Sequence, residues 1–201
     1  VADLISAAGS DHVITITLHS DQEQGFFDYP VDNLNVDKIF AAYFQKKKLK
    51  DVVVVAPDVG GSKSAKRFAD LLGADLAIML KTRPRHNVAE IKQIIGDVQG
   101  KTCILYDDMI DTAGTVIETI EVLKKKKVNK DIYLAATHAV FSPPAAERLK
   151  KAGFKEVVVM DTIPLSSQQR FPALKILSVA PLLAQIISSV HGGTSVSKLY
   201  V

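Results

Sequence analysis

Cysteine is almost absent: Cys103 stands alone among 201 residues. One thiol excludes an internal disulfide and a cysteine-built zinc site. No apolar run approaches the roughly 20 residues that cross a bilayer. No secretory signal pattern opens the chain, so a reducing cytoplasm is the default compartment. A strong charge of one sign is lacking too. The 25 Lys and Arg face 22 Asp and Glu, a formal net charge of +3. So weak a bias makes no electrostatic case for a nucleic-acid partner. Internal repeats and low-complexity linkers are also missing. The run Lys124-Lys125-Lys126-Lys127 has no interleaved aromatic residue. It reads as a solvated helix C-terminus that suits the helix dipole.

What is present fits a folded globular chain. Hydrophobic residues make up 47% and charged residues 23%, the balance of an ordinary domain rather than a disordered one. The length allows one domain, or one domain plus part of another. Val1 rather than Met opens the chain, as expected of a fragment, a processed form or a trimmed one.

Short apolar, β-branched runs alternate with longer amphipathic stretches. The runs are His12–Leu18, Val52–Ala56, Leu76–Leu80, Cys103–Tyr106, Ile132–Ala136 and Val157–Met160. Continuous apolar strands suit a parallel sheet covered on both faces. The stretches Asn35–Lys48, Ser62–Leu72, Thr115–Lys127, Pro143–Ala152 and Pro181–Val190 read as helices. In the first, Ile39, Ala42 and Tyr43 share one side; in the second, Ala65, Phe68, Ala69 and Leu72 do. Val116, Ile120 and Leu123 form the stripe of the third, and Gly73 stops the second. The alternation predicts an α/β fold, a doubly wound parallel sheet of about five strands.

Ligands of open α/β sheets bind beyond the carboxyl ends of the strands. The loop after Cys103–Tyr106 reads Asp107-Asp108-Met109-Ile110-Asp111-Thr112-Ala113-Gly114-Thr115. Its acids can hold a cation or sugar hydroxyls. Its small residues and threonines offer N–H and hydroxyl groups to a phosphate at a helix start. Together they suit a phosphorylated sugar; the plain structural alternative is an acidic turn with a Thr helix cap. It is not a Walker loop, because the Lys is missing. After Val52–Ala56 come Pro57-Asp58-Val59-Gly60-Gly61, an acid at a strand end with glycines that allow close backbone approach, or a plain glycine turn. After Leu76–Leu80 come Lys81-Thr82-Arg83-Pro84-Arg85-His86. Such a cationic cluster suits a polyphosphate, and Lys81 can neutralise charge developing in phosphoryl transfer; a solvated basic turn is the alternative. His19 and His138 at strand ends have the position of metal ligands, but taken alone each reads more readily as a satisfied structural histidine.

The segment Asp107–Thr115 resembles the loop that binds phosphoribosyl pyrophosphate (PRPP) in type I phosphoribosyltransferases and PRPP synthetases. Leu18–Leu34, His-Ser-Asp-Gln-Glu-Gln-Gly-Phe-Phe at its heart, is similar to the signature of the ribose-phosphate pyrophosphokinase family. Pro57–Gly61, Lys81–Arg85, Ile94–Val98, Asp161–Pro164 and Ser195–Tyr200 resemble the same family in the same order. The resemblance spans the chain and implies a fold of the type I phosphoribosyltransferase kind. It implies transfer of the β,γ-diphosphoryl group of ATP to the anomeric hydroxyl of ribose 5-phosphate, giving PRPP and AMP. It also implies Mg2+ held with help from His19 and Asp58, and Lys81 as the catalytic lysine. Arg83, Asp107 and Asp108 are implied at the ribose phosphate, with Asp111, Thr112, Ala113, Gly114 and Thr115 as the 5-phosphate loop. A cytoplasmic homo-oligomer, commonly a hexamer, is expected.

Two departures from the family stand out. Ala113 occupies a position where many members have Gly, and a positive φ there costs about 1 kcal/mol or more. The chain is also shorter than family members, which have two similar halves. Residues 1–34 are expected to be a remnant of the N-terminal domain and 35–201 the C-terminal domain. A chain lacking the rest is expected to keep the ribose-phosphate cradle and lose most catalysis. Two other functions fit some of these motifs: a non-catalytic subunit that regulates the synthetase, and a phosphoribosyltransferase that consumes PRPP.

Overall fold

The computed structural model describes residues 1–82 and 91–196. The chain divides into two compact units, one of residues 1–36 with 179–201 and the other of residues 37–178.

The first unit opens with helix α1 (Ala2–Ala7), followed by strands β1 (Val13–Ile16) and β2 (Val31–Leu34). These strands pair in parallel from Val13↔Val31 to Ile16↔Leu34. His12 Nε2 and Asp32 Oδ2 lie 2.8 Å apart across the pair. The first strand ends earlier than its apolar run suggests. Thr17 has a φ of 47°, a left-handed turn that a β-branched residue adopts only under constraint. The chain therefore leaves the ladder before His19. Ser20 then leads into a 3₁₀ turn over Asp21–Phe26.

The second unit begins with α2 (Asp37–Lys46), β3 (Val52–Ala56), α3 (Ser62–Leu72) and β4 (Asp75–Thr82). It continues through β5 (Ile91–Ile95), β6 (Thr102–Ile110), α4 (Gly114–Lys125), β7 (Tyr133–Ala139), α5 (Ala145–Ala152), β8 (Glu156–Met160) and β9 (Leu174–Leu177). The final helix, α6 (Ala180–His191), falls in the first unit. Among the described residues this sheet has seven strands, against the expected five or so, in the order β5-β4-β3-β6-β7-β8-β9. Every neighbouring pair is parallel except β4 with β5. The two strands not expected here, β5 and β9, are its edges.

Both faces of the sheet are covered. On one, Val53, Val55, Leu105, Leu134, Val157 and Val159 join Val116, Ile120 and Leu123 of α4 and Leu149 of α5 in one core. On the other, aromatic rings of α2 and α3 meet those of the sheet. Phe68 stacks on Tyr106 with centroids 4.4 Å apart. Phe40 meets Tyr106 edge-on at 5.8 Å, and Phe44 meets Tyr133 likewise. Helix α2 thus buries Phe40, Ala41 and Phe44, not the expected stripe of Ile39, Ala42 and Tyr43. Two phenylalanines one turn apart bury more apolar area than an isoleucine with a tyrosine. Tyr43 is only half-buried and donates its hydroxyl to Glu156 Oε2 at 2.7 Å, beside Lys47, which bonds Glu156 Oε1 at 2.8 Å.

Helix ends follow local chemistry. Helix α3 stops where Gly73 takes φ 63°, as its position predicts. Lys124, in the lysine run, donates to Ala152 O at 2.7 Å. One member of that run therefore caps the last turn of α5 instead of lying idle in solvent.

Candidate functional site

The first surprise is the length of β6. Its ladder to β7 continues through Asp107↔Ala136 and Met109↔His138 to Ile110↔Ala139. Asp107 and Asp108 thus lie on a strand rather than in the expected loop. Backbone pairing holds Asp107, and paired residues flank Asp108 on both sides, so neither carboxylate is free to swing as it would on a turn. Asp107 Oδ1 accepts the N–H of Asp108 at 3.0 Å, and Asp108 Oδ1 accepts that of Met109 at 2.9 Å.

The neighbouring strand brings a third acid close. β3 lies beside β6, with Val55 opposite Leu105, so Asp58 follows the same end of the sheet. Asp58 Oδ1 accepts the N–H of Gly61 at 2.9 Å, which closes the turn into α3. The carboxyl of Asp107 is raised from its ordinary 3.8 to about 8, with burial the largest cause. The hydrogen bond and charge of Asp108 add to that rise, and the charge of Asp58 adds a smaller part. Carboxylates crowded in this way are stabilised by a cation or by hydroxyl donors.

Only Asp111, Thr112 and Ala113 separate β6 from α4. Ala113 adopts φ 63° and ψ 10°, the left-handed region, while buried against the core. The strain foreseen for a non-glycine residue there is therefore present. A left-handed residue followed by a helical one turns successive N–H groups toward a common point, an anion nest. No side-chain hydrogen bond caps the first turn of α4, and that turn holds no acid. Thr115 is not a cap; it lies inside the helix, where its carbonyl accepts from Thr119 Oγ1 at 2.9 Å. The exposed side chains of Asp111 and Thr112 flank the nest.

Other expected residues fall as follows. Lys81 lies within β4, opposite Lys92; its side chain, and all of Arg83, Arg85 and His86, lie outside the described residues. His138 is inside β7 with Nδ1 2.9 Å from Thr162 Oγ1, the structural reading of the two. His19 is exposed in the first unit, three residues beyond the end of β1. Its loop is tied by Asn33, whose Oδ1 accepts the N–H of Leu18 at 3.1 Å and whose Nδ2 donates to Asp21 at 3.1 Å. No feature near Asn33 in sequence foretells that role. Arg148 of α5 was also not foreseen: its Nη1 donates to Thr112 O at 3.0 Å.

Among the described residues, no three His, Cys, Asp or Glu side chains form a ready metal cage. None of their helices is long and apolar enough to cross a membrane.

Comparison with known proteins gives a consistent picture. A family model described as phosphoribosyl synthetase-associated domain matches residues 82–201. The ribose-phosphate pyrophosphokinase of Caldanaerobacter subterraneus subsp. tengcongensis is 52% identical over 201 residues, covering 100% of this chain and 63% of that protein. That of Synechococcus elongatus is 51% identical, covering 100% of this chain and 61% of the relative. The crystal structure of phosphoribosylpyrophosphate synthetase from Mycobacterium smegmatis matches with a TM-score of 0.88 at 44% identity, over 96% of this chain and 62% of that one. The chain therefore spans less than two thirds of the length of these relatives.

Proposed function

The chain belongs to the phosphoribosyl synthetase-associated domain family, and from that premise we propose that it forms the ribose-phosphate-holding part of a ribose-phosphate diphosphokinase. The reaction joins the anomeric hydroxyl oxygen of ribose 5-phosphate to the β-phosphorus of ATP. The bond from that phosphorus to the α,β-bridging oxygen breaks and AMP leaves, while the hydroxyl proton passes to solvent. The observation that supports this most strongly is the end of β6. There an acidic pair fixed on a strand is followed within a few residues by a left-handed alanine opening an uncapped helix. Hydroxyl acceptors and a phosphate nest at that spacing match the two ends of a phosphorylated pentose.

In this reading Asp107 and Asp108 orient the ribose hydroxyls. Residues Asp111, Thr112, Ala113, Gly114 and Thr115 receive the 5-phosphate, and Arg83 adds a cationic contact to it. Lys81 stabilises charge that develops on the transferred group. The donor set near β3 and β6 is all hard oxygen, the chemistry that suits Mg2+. Asp58 would hold that ion; His19, in the first unit, is proposed separately as a metal ligand. A magnesium bound by one or two carboxylates and by substrate phosphates needs no complete protein cage. When bound it would neutralise phosphate charge, while the side chains and backbone of these loops would do the positioning. We further propose that residues 1–34 belong to a second, similar domain and that the protein is a cytoplasmic homo-oligomer. Exposed Leu4, Phe26 and Ile187 in the first unit would give it apolar surface for association.

The full protein should release AMP from ATP only when ribose 5-phosphate is present, with one PRPP formed per AMP. Lys81→Ala should slow that release by orders of magnitude. ATP hydrolysis that ignores ribose 5-phosphate would overturn the assignment.

A further inference from the structure

The phosphate loop carries a backbone strain that its own residues do not explain. Ala113 holds φ 63° although its side chain disfavours it. Rotation of the Thr112–Ala113 peptide would relieve the strain by moving Ala113 to negative φ. That rotation would turn the Thr112 carbonyl oxygen toward the nest and the Ala113 N–H out of it. Some contact must therefore oppose the flip.

Among the described residues, the cationic side chain bonded to this loop is Arg148. Its Nη1 donates to Thr112 O at 3.0 Å. Arg148 stands on α5 between Ala145 and Leu149, which are both buried in the core, so the helix that presents it is anchored. The Thr112–Ala113 peptide is trans, which sets its N–H and C=O on opposite sides. A donor that grips the Thr112 carbonyl from α5 thus aims the Ala113 N–H away from α5, into the loop. Because the donor is charged, it also polarises that peptide and strengthens the N–H as an anion donor.

We propose that Arg148 is a positioning residue for the phosphate nest. It fixes the orientation of the Thr112–Ala113 peptide and does not itself touch the sugar phosphate. The proposal rests on the reading of this loop as a ribose-5-phosphate site, and it gives α5 a part in that site.

The test is calorimetric titration of ribose 5-phosphate into the full protein, its Arg148→Ala variant and its Arg148→Lys variant. It is paired with the amide NMR cross-peak of Ala113. Arg148→Ala should weaken binding about tenfold, or about 1.4 kcal/mol. The Michaelis constant for ATP and the melting temperature should stay unchanged. The Ala113 cross-peak should move in the free protein and lose its response to ribose 5-phosphate. Arg148→Lys, which keeps a charged donor within reach, should recover much of the affinity. Arg148→Ala affinity within twofold of the parent, or an unmoved Ala113 cross-peak, would overturn the proposal. A parent protein that does not bind ribose 5-phosphate would instead overturn the reading of the loop. The movement of the Ala113 cross-peak would still report on the peptide.

Discussion

Gly96 closes β5 with φ +108°, and a Cβ built there would lie 2.8 Å from Leu76 O and 2.9 Å from Ala77 Cα. Both neighbours are backbone atoms of β4, the strand that carries Lys81, so neither yields by a side-chain rotation. Gly73 offers an internal control: its φ is +63°, and a Cβ built there would have nothing within 4 Å. Gly73→Ala adds only left-handed strain, about 1–2 kcal/mol, partly offset because Ala also restricts the unfolded chain. Gly96→Ala adds strain of roughly 1–3 kcal/mol for a backbone region that favours glycine. Forcing the strands apart adds about 1–3 kcal/mol more. The expected losses are thus about 1 kcal/mol for Gly73→Ala and about 3 kcal/mol or more for Gly96→Ala. At about 2–4 °C per kcal/mol for a chain of this size, Gly96→Ala should melt about 6–12 °C lower. Urea titrations followed by circular dichroism would measure both. Equal losses at the two positions would refute the reasoning, because the contact with β4 and the more glycine-selective backbone region both act at Gly96 and not at Gly73.

Three further predictions concern the second unit. Asp107 is raised to about 8, so folding favours its protonated form. Its contribution is fully present below the ordinary carboxyl range near pH 4 and is lost as pH climbs to about 8. The urea midpoint of the parent should therefore fall between pH 5 and pH 8 more than that of Asp107→Asn, and parallel profiles would contradict the burial argument. Tyr106 donates its hydroxyl to buried Asp37, which Arg67 Nε also reaches at 3.3 Å. Tyr106→Phe leaves part of that carboxylate unsatisfied and should cost about 1–3 kcal/mol; a loss under about 0.5 kcal/mol by urea denaturation would argue that water replaces the hydroxyl. Asp111 is exposed, so Asp111→Ala should leave the melting curve in place while abolishing ribose 5-phosphate binding by calorimetry.

Much of this was legible in sequence, and the failures share causes. β3 and α3 were readable to the residue. A run of four valines and an alanine has no polar face to confuse it, and Gly73 marks the helix end. The edge strands escaped because one side of an edge meets water. β5 reads Ile-Lys-Gln-Ile-Ile and β9 reads Leu-Lys-Ile-Leu, so polar residues break both runs. The same logic hid the end of β6, where two aspartates look like a turn although the ladder to β7 continues. On α2 two apolar stripes compete, and packing against Tyr106 and Tyr133 chose the phenylalanines.

The candidate site divides in a similar way. Its acids and small residues stand together in sequence, and Ala113, where a positive φ was expected only to carry a cost if adopted, does take the left-handed region. The approach of Asp58 to Asp107 follows from adjacent strand ends. Asn33 and Arg148 could not be read, because each acts through a backbone carbonyl, amide or carboxylate far away in sequence. A lone Asn and a helix-surface Arg carry no local pattern that announces such a bond.

The central claim is that the loop between β6 and α4 is a nest for the phosphate of a pentose. Calorimetry of the full protein with ribose 5-phosphate, beside ribose and Asp111→Ala, tests it most directly. The account predicts single-site binding of ribose 5-phosphate, no binding of ribose at the same concentrations, and none of ribose 5-phosphate to the variant. Ribose binding as tightly as its phosphate, or undiminished binding to Asp111→Ala, would contradict it.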